Sequence, residues 1–196
     1  MIRTRSQLAL ALALAFGSGL ASAQEMAFHL DPQQSRVDFS LGASLHTVHG
    51  AFRMKDSTIR FNPSTGAASG EFVVDATSGD TGNQGRDKKM HREILESGRF
   101  PEIRLAVQSL QGSVSAASPS QVQVSGILTL HGTEHPFAVS APVRVNGSHA
   151  EADVSFEVPY IQWGLKNPST FILRVSDKVA VVVHAVGTLT ESVPVK

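Results

Sequence analysis

Apolar and polar residues alternate with period two along most of this chain. Val37, Phe39 and Leu41 are separated by Asp38 and Ser40, and Val48, Gly50, Phe52 and Met54 by His49, Ala51 and Arg53. The pattern continues with Ile59 and Phe61, Phe72 and Val74, then Ile103, Leu105 and Val107. Longer series follow: Val122 to Leu130, Phe137 to Val145, Val154 to Val158, and Val179 to Ala185, each taken at every second position. Successive side chains on a strand point to opposite faces, so each series predicts a half-buried strand.

Turn residues fall between these series: Asn62-Pro63, Gly112, Ser118-Pro119, Gly132-Thr133 and Asn146-Gly147. His131-Gly132-Thr133-Glu134 reads as a tight hairpin, and Asn146-Gly147 as a second one of type I′. Only residues 85–98 break the period. There Met90, Ile94 and Leu95 recur at helical spacing, which predicts one short helix ending at Gly98 before Phe100-Pro101. Eight or nine antiparallel strands in one domain can close as a barrel or stack as a sandwich. Sandwich cores are often pinned by a disulfide or a central Trp, and neither cue occurs early in this chain. Strands near ten residues, roughly 33 Å long, joined by short hairpins favour an all-β, extended antiparallel eight-stranded barrel with one short helix. Such a barrel either fills itself with side chains or holds one small ligand.

The first residues have a different character. Arg3 and Arg5 precede an uncharged apolar run over residues 8–20, and Ala21-Ser22-Ala23 follows as an A-x-A cleavage site. This predicts a secretory signal peptide over 1–23 and a barrel domain over 24–196, with the periplasm as destination. The run is short of the roughly 20 apolar residues that a membrane span needs. Asn146-Gly147-Ser148 matches a glycosylation sequon but reads as a turn.

Composition narrows the chemistry. The full chain carries 17 Lys+Arg against 17 Asp+Glu and no cysteine. Removing residues 1–23 takes away Arg3 and Arg5, leaving 15 basic against 17 acidic side chains. No disulfide scaffold, thiol nucleophile or Cys-based metal site is available, and a neutral chain without a basic run does not suit nucleic acid. His46 and His49 lie three apart, on opposite strand faces, and His131 and His135 flank a hairpin without a carboxylate constellation. No metal site and no cofactor are expected. No G-x-S-x-G, H-E-x-x-H or P-loop occurs, so no catalytic residues are assigned.

An ordered set of fragments resembles the YceI family of bacterial periplasmic proteins. It begins with Leu30-Asp31-Pro32, Ser35, Val37 and Phe39, and continues with Thr47 to Phe52. Asp80-Thr81-Gly82-Asn83, Arg86-Asp87, Met90 and Phe100-Pro101 form its most specific stretch. Leu128 to Gly132, Pro136 and Ser176 to Val179 complete it, so that the likeness covers nearly all of residues 27–190. His49 and His135 stand where the family often has Arg, and residues 163–169 resemble a subgroup variant. The resemblance implies a lipocalin-like barrel with a hydrophobic tunnel, and no catalysis. It also implies a long amphiphile as ligand: a polyisoprenoid, an isoprenoid quinone or a fatty-acid derivative.

Such a tunnel needs apolar inward positions and little charge. Phe39, Phe52, Phe72, Leu105, Leu128, Phe137, Phe156 and Phe171 are the candidate lining. A packed core and a lined cavity produce the same alternation, so the pattern leaves both open. Asn83, Arg86 and Asp87 suit a helix cap with a surface ion pair. The alternative is a polar mouth, at which Arg86 with Lys88 or Lys89 meets a head group. Trp163, beside Tyr160 and Phe171, serves as a lid at that mouth or as a loop anchor. The expected partner is a hydrophobic small molecule, with a homodimer compatible. Low charge favours a quinone- or fatty-acid-like guest over a pyrophosphate.

Overall fold

A computed structural model describes residues 25–112, 114, 120–169 and 174–192. The predicted signal peptide, the Ser118-Pro119 turn and Phe171 lie outside the described residues.

Ten strands form one closed sheet of eight staves. Two staves are interrupted. Strands β1 (Glu25–Leu30) and β2 (Arg36–Gly42) lie end to end along one edge of β10 (Val179–Ser192), which they pair in the register Leu30↔Gly187 and Arg36↔His184. Between them Pro32 has no N–H for a ladder, and Asp31 turns the chain by accepting from the Gln33 amide at 2.9 Å. Ser35 repairs the break. Its buried hydroxyl donates to the Val186 carbonyl and accepts from the Val186 amide.

Strands β3 (Thr47–Arg53) and β4 (Thr58–Phe61) form the next broken stave, paired with β2 and β1 respectively. An up-and-down meander then runs through β5 (Ala68–Asp75), β6 (Glu102–Gln111), β7 (Ser120–Leu130), β8 (Thr133–Asn146) and β9 (His149–Val158). Pairing of β10 with both β9 and β1 closes the ring, as the strand pattern predicts.

Three local details depart from the sequence reading. Asn146 pairs with His149, so the hairpin centre is Gly147-Ser148 rather than Asn146-Gly147. Only Gly147 has positive φ there (61°), which is the pattern of a type II′ turn rather than I′. A bulge lies between Val107 and Ser109 on β6, and it flips the parity so that Leu110 faces inward.

The helix is the third. α1 (Gln84–Lys89) continues as a π-helical turn (Met90–Ile94) and stops short of Gly98. Wider turns carry the Leu95 amide to the Met90 carbonyl and the Ser97 amide to that of His91. The left-handed residue is Glu96 (φ 45°), whose carbonyl accepts from the Arg99 and Phe100 amides. A Cβ at Gly98 would meet nothing within 4 Å. Gly98→Ala is therefore expected to be neutral or stabilising by up to about 1 kcal/mol, measured by thermal melts.

Asp75 begins the excursion that carries the helix. It caps a 3-10 turn (Ala76–Ser78) by accepting from the Thr77 hydroxyl at 2.6 Å and amide at 2.9 Å. Those Thr77 hydrogen bonds hold its carboxyl below the ordinary aspartate value. A lowered folded-state pKa contributes stability above about pH 4, lost as pH falls through the lowered value. Asp75→Asn is expected to flatten that acid limb in unfolding free energies measured from pH 6 down to 3.

Candidate ligand-binding cavity

The staves enclose a cavity of about 1420 Å³, larger than the ~300–1,000 Å³ of typical small-molecule sites. Its walls are the inward faces already described. Val124, Phe137, Val139, Val154 and Phe156 line it and remain only half-buried, although they point to the barrel axis. A packed core would bury them fully; an open lumen leaves them uncovered. Filled with water at ~30 Å³ each, this space would hold on the order of 45 molecules, against walls offering few hydrogen bonds.

Two clusters close the structure around the lumen. At the waist, Leu30, Val37, Met54 and Ala185 are buried where the two staves break. At the helix end, Leu130, Val158, Tyr160 and Leu165 pack with Ile94 and Leu95 into a second cluster, all six bordering the cavity. Tyr160 donates its hydroxyl to the Ser176 carbonyl at 2.7 Å. Burial, and secondarily Asp177, push its phenol above the ordinary value, which keeps that donor protonated.

Seven of the predicted tunnel residues line the cavity: Phe39, Phe52, Phe72, Leu105, Leu128, Phe137 and Phe156. Phe39 packs on Phe52 with ring centroids 5.3 Å apart, and Phe137 meets Phe156 edge to face at 4.9 Å. Phe171 lies outside the described residues.

The predicted mouth residues separate. Arg86 borders the cavity together with Thr81, Lys89 and His46. Thr81 binds Arg86 twice, accepting from Nε at its hydroxyl (2.7 Å) and from Nη2 at its carbonyl (2.9 Å). Asp87 accepts from the Thr81 hydroxyl at 2.5 Å and from its amide at 3.0 Å, and does not line the cavity. Asn83 caps α1 by accepting from the Arg86 amide at 3.0 Å, again off the lumen. Asn83 and Asp87 thus hold Arg86 in place rather than face a guest.

Trp163 does not line the cavity. Its ring stacks on His135 at 4.0 Å and 7°, against the helix-end cluster. His135 shares the parity of Phe137 and supplies the flat face on which the indole packs.

Sequence reasoning left Lys88 and Lys89 as equal partners for Arg86, and the structure selects Lys89. Its i+3 spacing from Arg86 on one helix face is the signal that singles it out. His46 was assigned no role at the mouth, because a turn residue has no periodicity to read. The far end of the cavity has a different lining, with Ser148, Glu151 and Glu191. No group of three or more metal-ligating side chains occurs among the described residues, and none of their helices is long and apolar enough to cross a membrane.

A family model described as a YceI-like domain matches residues 28–187. A UPF0312 protein of Pseudomonas savastanoi pv. phaseolicola is 30% identical over 149 residues, which is 73% of this chain and 74% of that protein. Among solved structures, BcnA of Burkholderia cenocepacia superposes with a TM-score of 0.65 at 19% identity, covering 80% of this chain and 98% of BcnA. A polyisoprenoid-binding domain from Saccharophagus degradans gives 0.60 at 16% identity, over 83% of this chain and 98% of that domain. The YceI protein of Campylobacter jejuni gives 0.58 at 12% identity, over 77% and 88%. At such identities the structural likeness shows a common fold. Taken with the match over most of the sequence, it leads to one conclusion: this chain belongs to the YceI-like family.

Proposed function

We propose that this protein is an exported binding protein that carries one long-chain amphiphile in its lumen without chemical change. The observation that carries the reading is the open apolar cavity of about 1420 Å³, bordered at the helix end by Arg86 and Lys89. A protein-docking scaffold would have no use for an empty interior. Each buried methylene contributes ~0.8 kcal/mol, so a tail of some fifteen carbons supplies about 12 kcal/mol before the cost of association. Polyisoprenoid tails, isoprenoid quinones and fatty acids all fit that description, and the Saccharophagus relative is a polyisoprenoid-binding domain.

The head group belongs at the helix end. Thr81 occupies Nε and Nη2 of Arg86, and Arg86 and Lys89 both border the cavity. Two such donors suit one carboxylate or a quinone carbonyl better than a pyrophosphate. Periplasmic residence is supported by the leader pattern of residues 1–23.

Delipidated protein titrated with a fluorescent fatty acid tests the reading. Saturation at one probe per chain, with displacement by palmitate, ubiquinone or a polyprenol, is expected. Absence of saturable binding by any of them would sink it.

A further inference from the structure

We propose that the rim around the Arg86 end of the cavity is a docking surface for an anionic lipid bilayer. The inference rests on the reading that the lumen holds an amphiphile, and it adds where that guest enters and leaves. Leu45, at the tip of the β2–β3 turn, is 79% exposed, the most exposed large hydrophobic side chain among the described residues. Its neighbours Ala43 and His46 both border the cavity.

The turn is held in place. The Ala43 amide donates to the His46 carbonyl at 3.0 Å, and the Ser44 amide to the Arg174 carbonyl at 2.9 Å. The Arg174 amide returns a bond to the Ser44 hydroxyl, also at 2.9 Å. Leu45 thus projects from an anchored backbone, beside the opening, into solvent.

Charge is arranged to match. The segments bordering this opening, residues 79–96, 157–169 and 174–178, carry seven Lys and Arg against six carboxylates, and the ion pairs Arg92–Glu93 and Lys178–Glu157 leave five cations against four. Of the remaining carboxylates, Asp80 accepts from the Gly82 amide, Asp87 from Thr81, and Glu96 faces His131 at 3.6 Å. Lys88, Lys166 and Arg174 are exposed there. The opposite end presents Glu25, Glu151 and Glu191, and the cation beside them, Arg144, faces Asp153 at 3.6 Å. The chain from residue 24 has 15 basic and 17 acidic side chains, so the exposed cations at this rim, which join no ion pair among the described residues, are a local feature of a slightly acidic protein. A barrel with such polarity turns its mouth toward negative lipid, where basic side chains attract headgroups and an exposed Leu enters the acyl boundary. A guest could then pass between bilayer and lumen with little exposure of its tail to water.

Flotation with vesicles tests this, using phosphatidylcholine alone or with about 30% phosphatidylglycerol. Partitioning onto the anionic vesicles at least tenfold above the neutral ones is expected, with most of it lost at about 0.5 M NaCl. Because each cation near such a surface contributes roughly fivefold, K88Q/K166Q is expected to weaken partitioning about 25-fold. Leu45→Ser is expected to weaken it about tenfold. None of these residues lines the cavity, so all variants should take up the fluorescent fatty acid, without vesicles, as the parent does. Equal partitioning onto both vesicle types, or variants that dock like the parent, would overturn the docking surface. Probe uptake without vesicle binding would leave the lumen reading standing and refute docking; vesicle binding without probe uptake would do the reverse.

Discussion

Replacing Val124 and Val154 together by tryptophan is expected to abolish guest binding while the barrel stays folded. Both valines line the lumen and are only half-buried. In a close-packed core each enlargement would cost about 1–3 kcal/mol through strain and displaced neighbours. In an open lumen the indoles enter unoccupied space, so stability should change by less than ~1 kcal/mol. The guest, however, loses that space. If each indole displaces about three methylenes at ~0.8 kcal/mol apiece, affinity falls about 60-fold per site. Probe titration and urea midpoints on the same protein read both effects. A large loss of stability with unchanged binding would mean that the interior is a core.

Gly126→Ala is expected to act the opposite way, through the wall rather than the lumen. Gly126 lies opposite Val107, where the bulge brings β6 against β7. A Cβ there would lie 2.1 Å from the Ala106 carbonyl oxygen and 3.0 Å from its carbonyl carbon, both rigid backbone atoms. One methyl group therefore has to push neighbouring strands apart in a closed ring, at a cost of about 3 kcal/mol. For a chain of this size that corresponds to a fall in melting temperature of about 6–12 °C. Calorimetry on the variant checks it, with Gly98→Ala, where the added methyl meets nothing, as the control. A melting temperature unchanged by Gly126→Ala would show that the β6–β7 contact is looser than described.

Most of the barrel was legible because its strands alternate. Phe72 and Leu105 could be assigned to the inner face from parity alone, and both are there. Parity fails where a single residue is inserted: Val107 and Ser109 continue the alternation on paper, while the bulge between them hands the inner face to Leu110. The broken staves were equally hidden, since nothing in the alternation marks that the chain breaks at Asp31-Pro32 and resumes along the same neighbour. Turn centres and helix ends depend on one residue's φ, which explains the shift to Gly147-Ser148 and to Glu96.

The site was legible only in its apolar half. Tail-lining residues follow from period two, but whether they touch one another or open space depends on barrel girth, which alternation does not encode. At the start of α1 the cap by Asn83 was legible, because the capping spacing is local, but Asn83 and Asp87 lie off the lumen that Arg86 borders. Their division of labour depends on Thr81, which binds Arg86 twice and Asp87 twice. Trp163 depends on a long-range partner, His135, that no spacing in the chain announces.

Organic extraction of the protein purified from its own cells, followed by mass spectrometry of the extract, tests the central claim most directly. The account predicts close to one equivalent of a single class of long-chain amphiphile, depleted in the Val124→Trp/Val154→Trp variant. A lipid-free extract from protein that also fails to take up fatty acid, quinone and polyprenol would contradict it.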